Sequence, residues 1–183
     1  GVIRDDLNHY LKQFGLMFGP ETSTANRAMI GGMLGNNSCG LHSIVWGSVR
    51  DHVLVVKALL SDGSHVIFRK EDARENGNES LKSTIYHQLD ELLSDEKNQQ
   101  LIRNKFPQEK VHRRNTGDAL DYLLKMQPYN PQGEPFNLCK LLAGSEGTLA
   151  FTTEIKLNLV DLPPKEIAVV CIHCNSIVEA MRA

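Results

Sequence analysis

Apolar positions along the chain repeat with two different periods, and the changes of period outline the elements. Over 4–14, Leu7, Tyr10, Leu11 and Phe14 fall at i, i+3, i+4 and i+7, which predicts a helix with one apolar stripe. Asp5 and Asp6 stand in its first turn, where carboxylates meet the positive helix end, and Gly15 predicts its stop. Val53-Leu54-Val55-Val56 is a continuous apolar run, as in a strand buried on both faces. Ser61-Asp62-Gly63-Ser64 suits the positive φ of a tight turn, and His65-Val66-Ile67-Phe68 reads as the returning strand, so 48–68 is expected to form a hairpin. Helical spacing returns over 81–103 (Ile85, Leu89, Leu92, Leu93), with Pro107 beyond its end, and over 118–126 (Leu120, Leu123, Leu124). A short apolar helix is predicted over 136–143. From Leu149 to Val160 the period is two. Phe151, Thr153, Ile155, Leu157 and Leu159 fall on one side, which predicts a strand whose other side is wet or faces a ligand. After Pro163-Pro164, a strand is expected over 165–174, through Ile167 to Val170. Ser176 with Glu179 then forms a capping-box pattern opening a helix at Ile177.

Two stretches of small residues interrupt this pattern. Pro20 to Gly47 is rich in Gly, Asn, Ser and Thr, with four glycines between Gly31 and Gly40, yet it carries Met29, Ile30, Met33 and Leu34, which call for burial. It either wraps a bulky polar cofactor or is a tight turn packed on its own core. Gly144-Ser145-Glu146-Gly147-Thr148 is the second such stretch. Between them, 69–135 lacks a Gly-rich signal and reads as a helical insertion, its 69–78 part an exposed loop and its charged runs a solvated face. The expected fold is α+β: a mostly antiparallel sheet flanked by helices over 1–163, with 164–183 opening a further domain. No internal repeat or low-complexity tract is present.

Composition narrows the function classes. The 183 residues are 41% hydrophobic and 23% charged, ordinary for a globular protein, and a formal charge of −2 argues against nucleic acid as the main partner. No apolar run approaches the roughly 20 residues of a membrane-spanning helix, and the first residues are not a secretory signal. Four scattered cysteines do not make a disulfide scaffold, so a reducing, cytoplasmic setting is expected. The chain begins without Met and ends on Met181-Arg182-Ala183 within helical pattern, which suggests a portion of a longer protein.

Several chemical motifs fall away. Cys171-Ile172-His173-Cys174 has the spacing of half a metal site, but Cys39 and Cys139 are single and distant, and on a strand 171 and 174 point to opposite faces. Buried core cysteines are the expectation there. Lys110, His112, Arg113 and Arg114 form a basic patch that meets phosphate or is simply a wet loop; the loop is favoured. Gly31-Gly32-Met33-Leu34-Gly35 lacks the spacing and the βαβ frame of the dinucleotide fingerprint, which argues against a nicotinamide dehydrogenase of that class.

A resemblance organises the remainder. Pro20-Glu21-Thr22-Ser23, Ile30-Gly31-Gly32-Met33, Asn37-Ser38-Cys39-Gly40, Trp46-Gly47-Ser48-Val49-Arg50-Asp51 and Ser61-Asp62-Gly63 look like the FAD-binding domain of the FAD-linked oxidase family, the vanillyl-alcohol oxidase or PCMH type. Gly144 to Leu149 with Thr152-Thr153-Glu154 resembles that family's second signature, about a hundred residues on. The wording of 35–40 and the insertion are most similar to long bacterial proteins that fuse this flavin module to an iron–sulfur region, resembling D-lactate and D-2-hydroxyglutarate dehydrogenases. The resemblance implies FAD as cofactor. Pro20, Glu21, Thr22, Met29, Gly31 and Gly32 would line the flavin and its ribityl chain. Asn36, Asn37, Ser38, Cys39 and Gly40 would meet the pyrophosphate and ribityl region through backbone N–H groups and short side chains. Glu146, Gly147 and Thr152 would lie by the adenosine half. Met29 departs from the Thr or Ser usual there, and Trp46 from the usual Tyr.

It further implies a parent flavoenzyme that moves a hydride from the α-carbon of a 2-hydroxy acid to flavin N5. An electron acceptor would take part, and an iron–sulfur cluster could lie outside this chain. A further pyrophosphate loop would precede Gly1, and the catalytic residues would follow Ala183, so the isolated chain is expected to be inactive and to hold FAD weakly or not at all. Two rivals stand: another FAD oxidoreductase acting on an alcohol, sugar or amino-sugar nucleotide, and a flavin-less interaction module.

Overall fold

The computed structural model describes residues 1–71, 80–108, 110–111, 114–115, 117–166 and 168–182. Most of the 69–78 loop, His112 and Arg113 of the basic patch, and Ile167 lie outside these residues.

Helix α1 (Arg4–Leu11) runs into a 3-10 turn, Lys12–Phe14, and stops at Gly15, whose φ of 71° is the left-handed geometry glycine accepts most readily. Its predicted stripe is only half buried. Leu11 is in the core, whereas Tyr10 and Phe14 stay exposed and stack edge-to-face on each other at 5.6 Å. Strand β1 (Leu16–Met17) follows. Next come α2 (Ile30–Gly35), α3 (Ser43–Trp46) and α4 (Val49–His52). The expected hairpin therefore starts later than Ser48. Ser48 and Asp51 form a complete capping box that turns 49–52 into a helical turn.

Strand β2 (Val53–Leu59) pairs antiparallel with β3 (His65–Phe68) through the turn at Gly63, φ 80°. The single predicted helix over 81–103 is two, α5 (Leu81–Ser94) and α6 (Glu96–Lys105). Asp95 caps α6 by accepting from the Asn98 N–H, so a residue read as solvated face breaks the helix. Helices α7 (Leu120–Leu124) and α8 (Cys139–Leu142) lead to β4 (Phe151–Leu157) and β5 (Val160–Asp161), and α9 (Ile177–Ala180) closes the described chain.

Strand order is β3-β2-β4, all antiparallel, with β1 and β5 paired separately. This is the mixed α and antiparallel β architecture expected. Two features correct the sequence reading. First, the β2–β4 register shifts where Lys57 pairs Glu154 and Ala58 pairs Thr152, leaving Thr153 extra. Such a bulge breaks the period of two. Ile155 and Leu157 pack on the core, while Phe151 is 71% exposed. Second, 165–174 forms no strand among its described residues. Val169, Val170 and Ile172 are exposed there. Cys171 is exposed too, and Cys174 only partly covered, contrary to the expectation of core cysteines.

One core serves the sheet and the insertion alike. Val53, Val56, Ala58 and Phe68 of the sheet share a cluster with Tyr86, Leu93, Ile102 and Leu123 of the insertion and with Phe136 and Cys139. Tyr86 and Tyr129 both stack edge-on against Phe136. Helices α5 to α7 are thus part of the same hydrophobic unit that holds the small-residue turns in place.

Candidate flavin-binding site

Helix α2 and the turn after α8 meet back to back. The Gly144 N–H donates to Leu34 O at 2.9 Å, and the Glu146 N–H to Gly35 O at 2.8 Å. The second bond satisfies a carbonyl that the end of α2 would otherwise leave open, and the first joins the Asn37 N–H on Leu34 O. Glu146 adopts φ 55° and Gly147 φ 77°, so the chain turns sharply there. Ser145 Oγ donates to Leu142 O and Thr148 Oγ1 to Ser145 O, directing both hydroxyls into the turn itself.

A hollow of about 380 Å³ opens along this junction, a size typical of small-molecule sites. Gly31, Gly32, Asn36, Glu146, Gly147 and Thr152 all line it. Six residues predicted from stretches about a hundred positions apart are therefore brought together. Gly35, Ser145 and Phe151 also line the hollow and were not predicted. Gly35 carried a signal, standing within the same glycine run. Phe151 carried none, because only the bulge turns it outward.

The glycines of α2 test whether a ligand fits. Gly31 and Gly32 have ordinary helical backbone, and a Cβ built on either meets nothing within 4 Å. The fold does not need glycine there, and alanine would be favoured by about 0.5–1 kcal/mol each. Both lie in the first turn of α2, whose N–H groups have no acceptor within the helix. Bare backbone facing open space suits a phosphate-bearing cofactor approaching closely.

The remaining predicted residues lie elsewhere. Cys39 and Gly40 line a second cleft of about 680 Å³, with Ser43, Tyr122 and Lys125 among its other walls. Pro20 is buried and Met29 is 54% exposed; neither they nor Glu21 and Thr22 line either hollow. Glu21 instead reaches the Gly40–His42 corner. Its Oε1 accepts from the His42 N–H at 2.9 Å and lies 2.7 Å from His42 Nδ1. Partial burial raises the Glu21 pKa, but the His42 N–H and ring outweigh it and hold the carboxyl below its usual value. Asn37 and Ser38 are buried. The N–H groups of Asn36, Asn37 and Ser38 donate to Gly32, Leu34 and Met33 carbonyls, and that of Gly40 to Ser43 Oγ. These donors close the end of α2, so the expected nest of backbone N–H groups toward a diphosphate is not what this turn presents.

Behind both turns lies Arg50, 1% exposed. Its Nε donates to Lys140 O at 2.9 Å and its Nη2 to Ala143 O, and the guanidinium lies over the Tyr122 ring at 5.0 Å. Burial pushes its pKa down from the usual arginine value. The Arg50 N–H donates to Asn37 Oδ1 at 2.8 Å. One residue thus holds the Asn37 turn through its backbone and the Ala143-Gly144 corner through its side chain.

Residues 1–69 match the family described as the FAD binding domain. Over those residues the chain is similar to that family. Over 171 residues, 89% of this chain, it is 39% identical to a protein named D-2-hydroxyglutarate dehydrogenase from Escherichia coli (strain K12). It is 35% identical over 186 residues, its whole length, to a protein of that name from Pseudomonas putida. At 24% identity over 166 residues it also matches a D-lactate dehydrogenase [cytochrome], mitochondrial, of Arabidopsis thaliana. The chain spans only about a sixth of the length of the first two, 16% and 17%. The FAD binding domain match covers the glycines of α2, and the relatives' match extends over the 144–148 turn that completes the hollow. FAD is the cofactor this domain is built to hold. Among the described residues, no group of three or more His, Cys, Asp or Glu side chains could hold a metal ion, and no helix is long and apolar enough to cross a membrane.

Proposed function

We propose that this chain is the flavin-binding part of a dehydrogenase that oxidises a D-2-hydroxy acid, with D-2-hydroxyglutarate the first candidate and D-lactate the second. The observation that carries the reading is the hollow between α2 and the 144–148 turn. Residues of two signatures line it together, and Gly31 and Gly32 leave backbone bare where packing asks for no glycine. The names of the relatives supply the substrate class.

In this reading Gly31, Gly32, Asn36, Glu146, Gly147 and Thr152 hold the adenosine and pyrophosphate half of FAD, and the turn through Cys39 and Gly40 approaches the flavin and ribityl half. Glu21 buttresses that turn through its grip on His42. Asn37 and Ser38, both buried with their N–H groups turned to the carbonyls of α2, shape that turn rather than meet the cofactor. Bound flavin supplies the hydride acceptor for the substrate α-carbon. This chain's own residues orient the cofactor and exclude water from its phosphates, while the proton-accepting and carboxylate-binding groups belong to the rest of the polypeptide.

The test is reconstitution of the full-length protein with FAD, followed by assays with D-2-hydroxyglutarate, D-lactate and glycolate under a dye acceptor. Bound flavin bleached by D-2-hydroxyglutarate is expected. Absence of bound flavin would overturn the cofactor reading. Flavin that none of the three acids reduces would overturn the substrate class alone.

A further inference from the structure

The insertion does more than fill the core. Asn115, which no sequence pattern marks, reaches the flavin-signature turn with both side-chain ends. Its Nδ2 donates to Asn37 O at 2.9 Å, and its Oδ1 lies 3.2 Å from Cys39 Sγ, which donates to it. Asn37 Nδ2 answers with a bond to Arg114 O at 3.4 Å. The next residue after this clamp to line the large cleft is Gly40, and Cys39 lines it too. The same point touches the second signature. A Cβ on Gly144, φ 100°, would meet Asn37 Cβ at 3.4 Å and Asn115 O at 3.7 Å, so first signature, second signature and insertion close-pack there.

The residue before Asn115 is anchored to the insertion. Arg114 forms a two-pronged ion pair with Asp121 at 2.6 and 2.7 Å, its side chain 8% exposed, and it lies over the rings of Phe106 and Tyr122. The clamp is thereby tied to α7 and to the end of α6.

We propose that Asn115 is a positioning residue for flavin binding. By gripping Asn37 and Cys39 it makes the shape of the Asn37–Gly40 turn depend on docking of the insertion. Cofactor binding and insertion docking are then coupled, and the coupling is reciprocal. This rests on the reading of that turn as part of an FAD site.

The test uses the full-length protein with FAD as probe. Wild type must first bind FAD; if it does not, the cofactor reading fails and this inference with it. Given binding, Asn115→Ala is expected to weaken FAD about tenfold, because it removes two bonds to the turn. FAD is also expected to slow amide exchange across α7 in wild type and to do so less in the variant. Cys39→Ala on the Asn115→Ala background should add less than it does alone. Asn115→Asp supplies the readout a purely structural role would not move. Its carboxylate repels Asn37 O, whereas the protonated acid donates to it. Its FAD affinity should therefore rise relative to Asn115→Ala as pH falls from about 8 to about 5. Unchanged FAD affinity in Asn115→Ala, or a pH-independent ratio between the two variants, would overturn the proposal while leaving the cofactor reading intact.

Discussion

The backbone N–H of Glu146 donates to the carbonyl of Gly35 at 2.8 Å, joining two glycine-rich turns more than a hundred residues apart in sequence. Neither turn alone encloses anything. The bond, with its neighbour from Gly144 to Leu34, fixes one wall of the hollow against the other. Positions on the two sides of this bond should answer differently to the same substitution. Gly31 and Gly147 both have open space around a built Cβ, but Gly147 has φ 77°. Gly31→Ala is expected to stabilise the fold by about 0.5–1 kcal/mol, and Gly147→Ala to destabilise it by about 1 kcal/mol, since alanine resists that backbone geometry. Urea unfolding of the full-length apoprotein checks both signs.

Arg50 offers a second test. It bonds two carbonyls, Lys140 O and Ala143 O, from a position with almost no solvent contact. Arg50→Leu leaves both acceptors buried and unpaired, so a loss of about 3 kcal/mol is expected. Arg50→Lys should recover only part of it, because an ammonium cannot reproduce the guanidinium fork. Equal stability of the leucine variant and wild type in denaturant titration would contradict this role.

Acid should loosen the Gly40–His42 corner. The Glu21 carboxyl titrates below its usual value in the folded chain, owing to the His42 N–H and ring. A lowered folded pKa stabilises above the unfolded pKa and is lost as pH falls through the folded one. The contribution is therefore complete at neutral pH, begins to fall near the unfolded value of about 4.5, and is gone only below the lower folded one. Glu21→Gln should flatten the acid limb of the stability–pH curve and leave its slope near neutrality unaltered.

The cysteines divide by burial. Burial pushes the Cys139 thiol up to about 12, and its Sγ donates to Phe68 O at 3.1 Å. Cys171 is exposed. Thiol titration with a chromogenic disulfide should modify Cys171 first, with Cys39 and Cys139 reacting only on unfolding. Fast reaction of Cys139 in folded protein would contradict the packing described.

What the sequence disclosed follows from locality. The Gly63 turn, the Gly15 stop and the hydroxyl cap at Ser176 depend on a few adjacent residues, and all are present. The cap is half of the box predicted, because Glu179 turns back to the Asn175 N–H rather than that of Ser176. The break at Asp95 was hidden because helical spacing continues across it. The strand expected over 165–174 fails for a nonlocal reason: apolar residues form a strand only where a partner edge is available. The site was half legible. Six residues of the hollow were readable as glycine-rich signatures, whereas Asn115 and Arg50 act across 76 to 93 positions and leave no periodic trace.

The most direct measurement is the FAD dissociation constant of the full-length protein carrying Gly31→Leu, beside its apoprotein stability. Leucine is a good helix former, and a Cβ at Gly31 meets nothing within 4 Å. If the hollow holds the cofactor, the apoprotein should be at least as stable as wild type while FAD binds more than about tenfold more weakly. Undiminished FAD affinity in a stable Gly31→Leu protein would contradict the placement of the cofactor between α2 and the 144–148 turn.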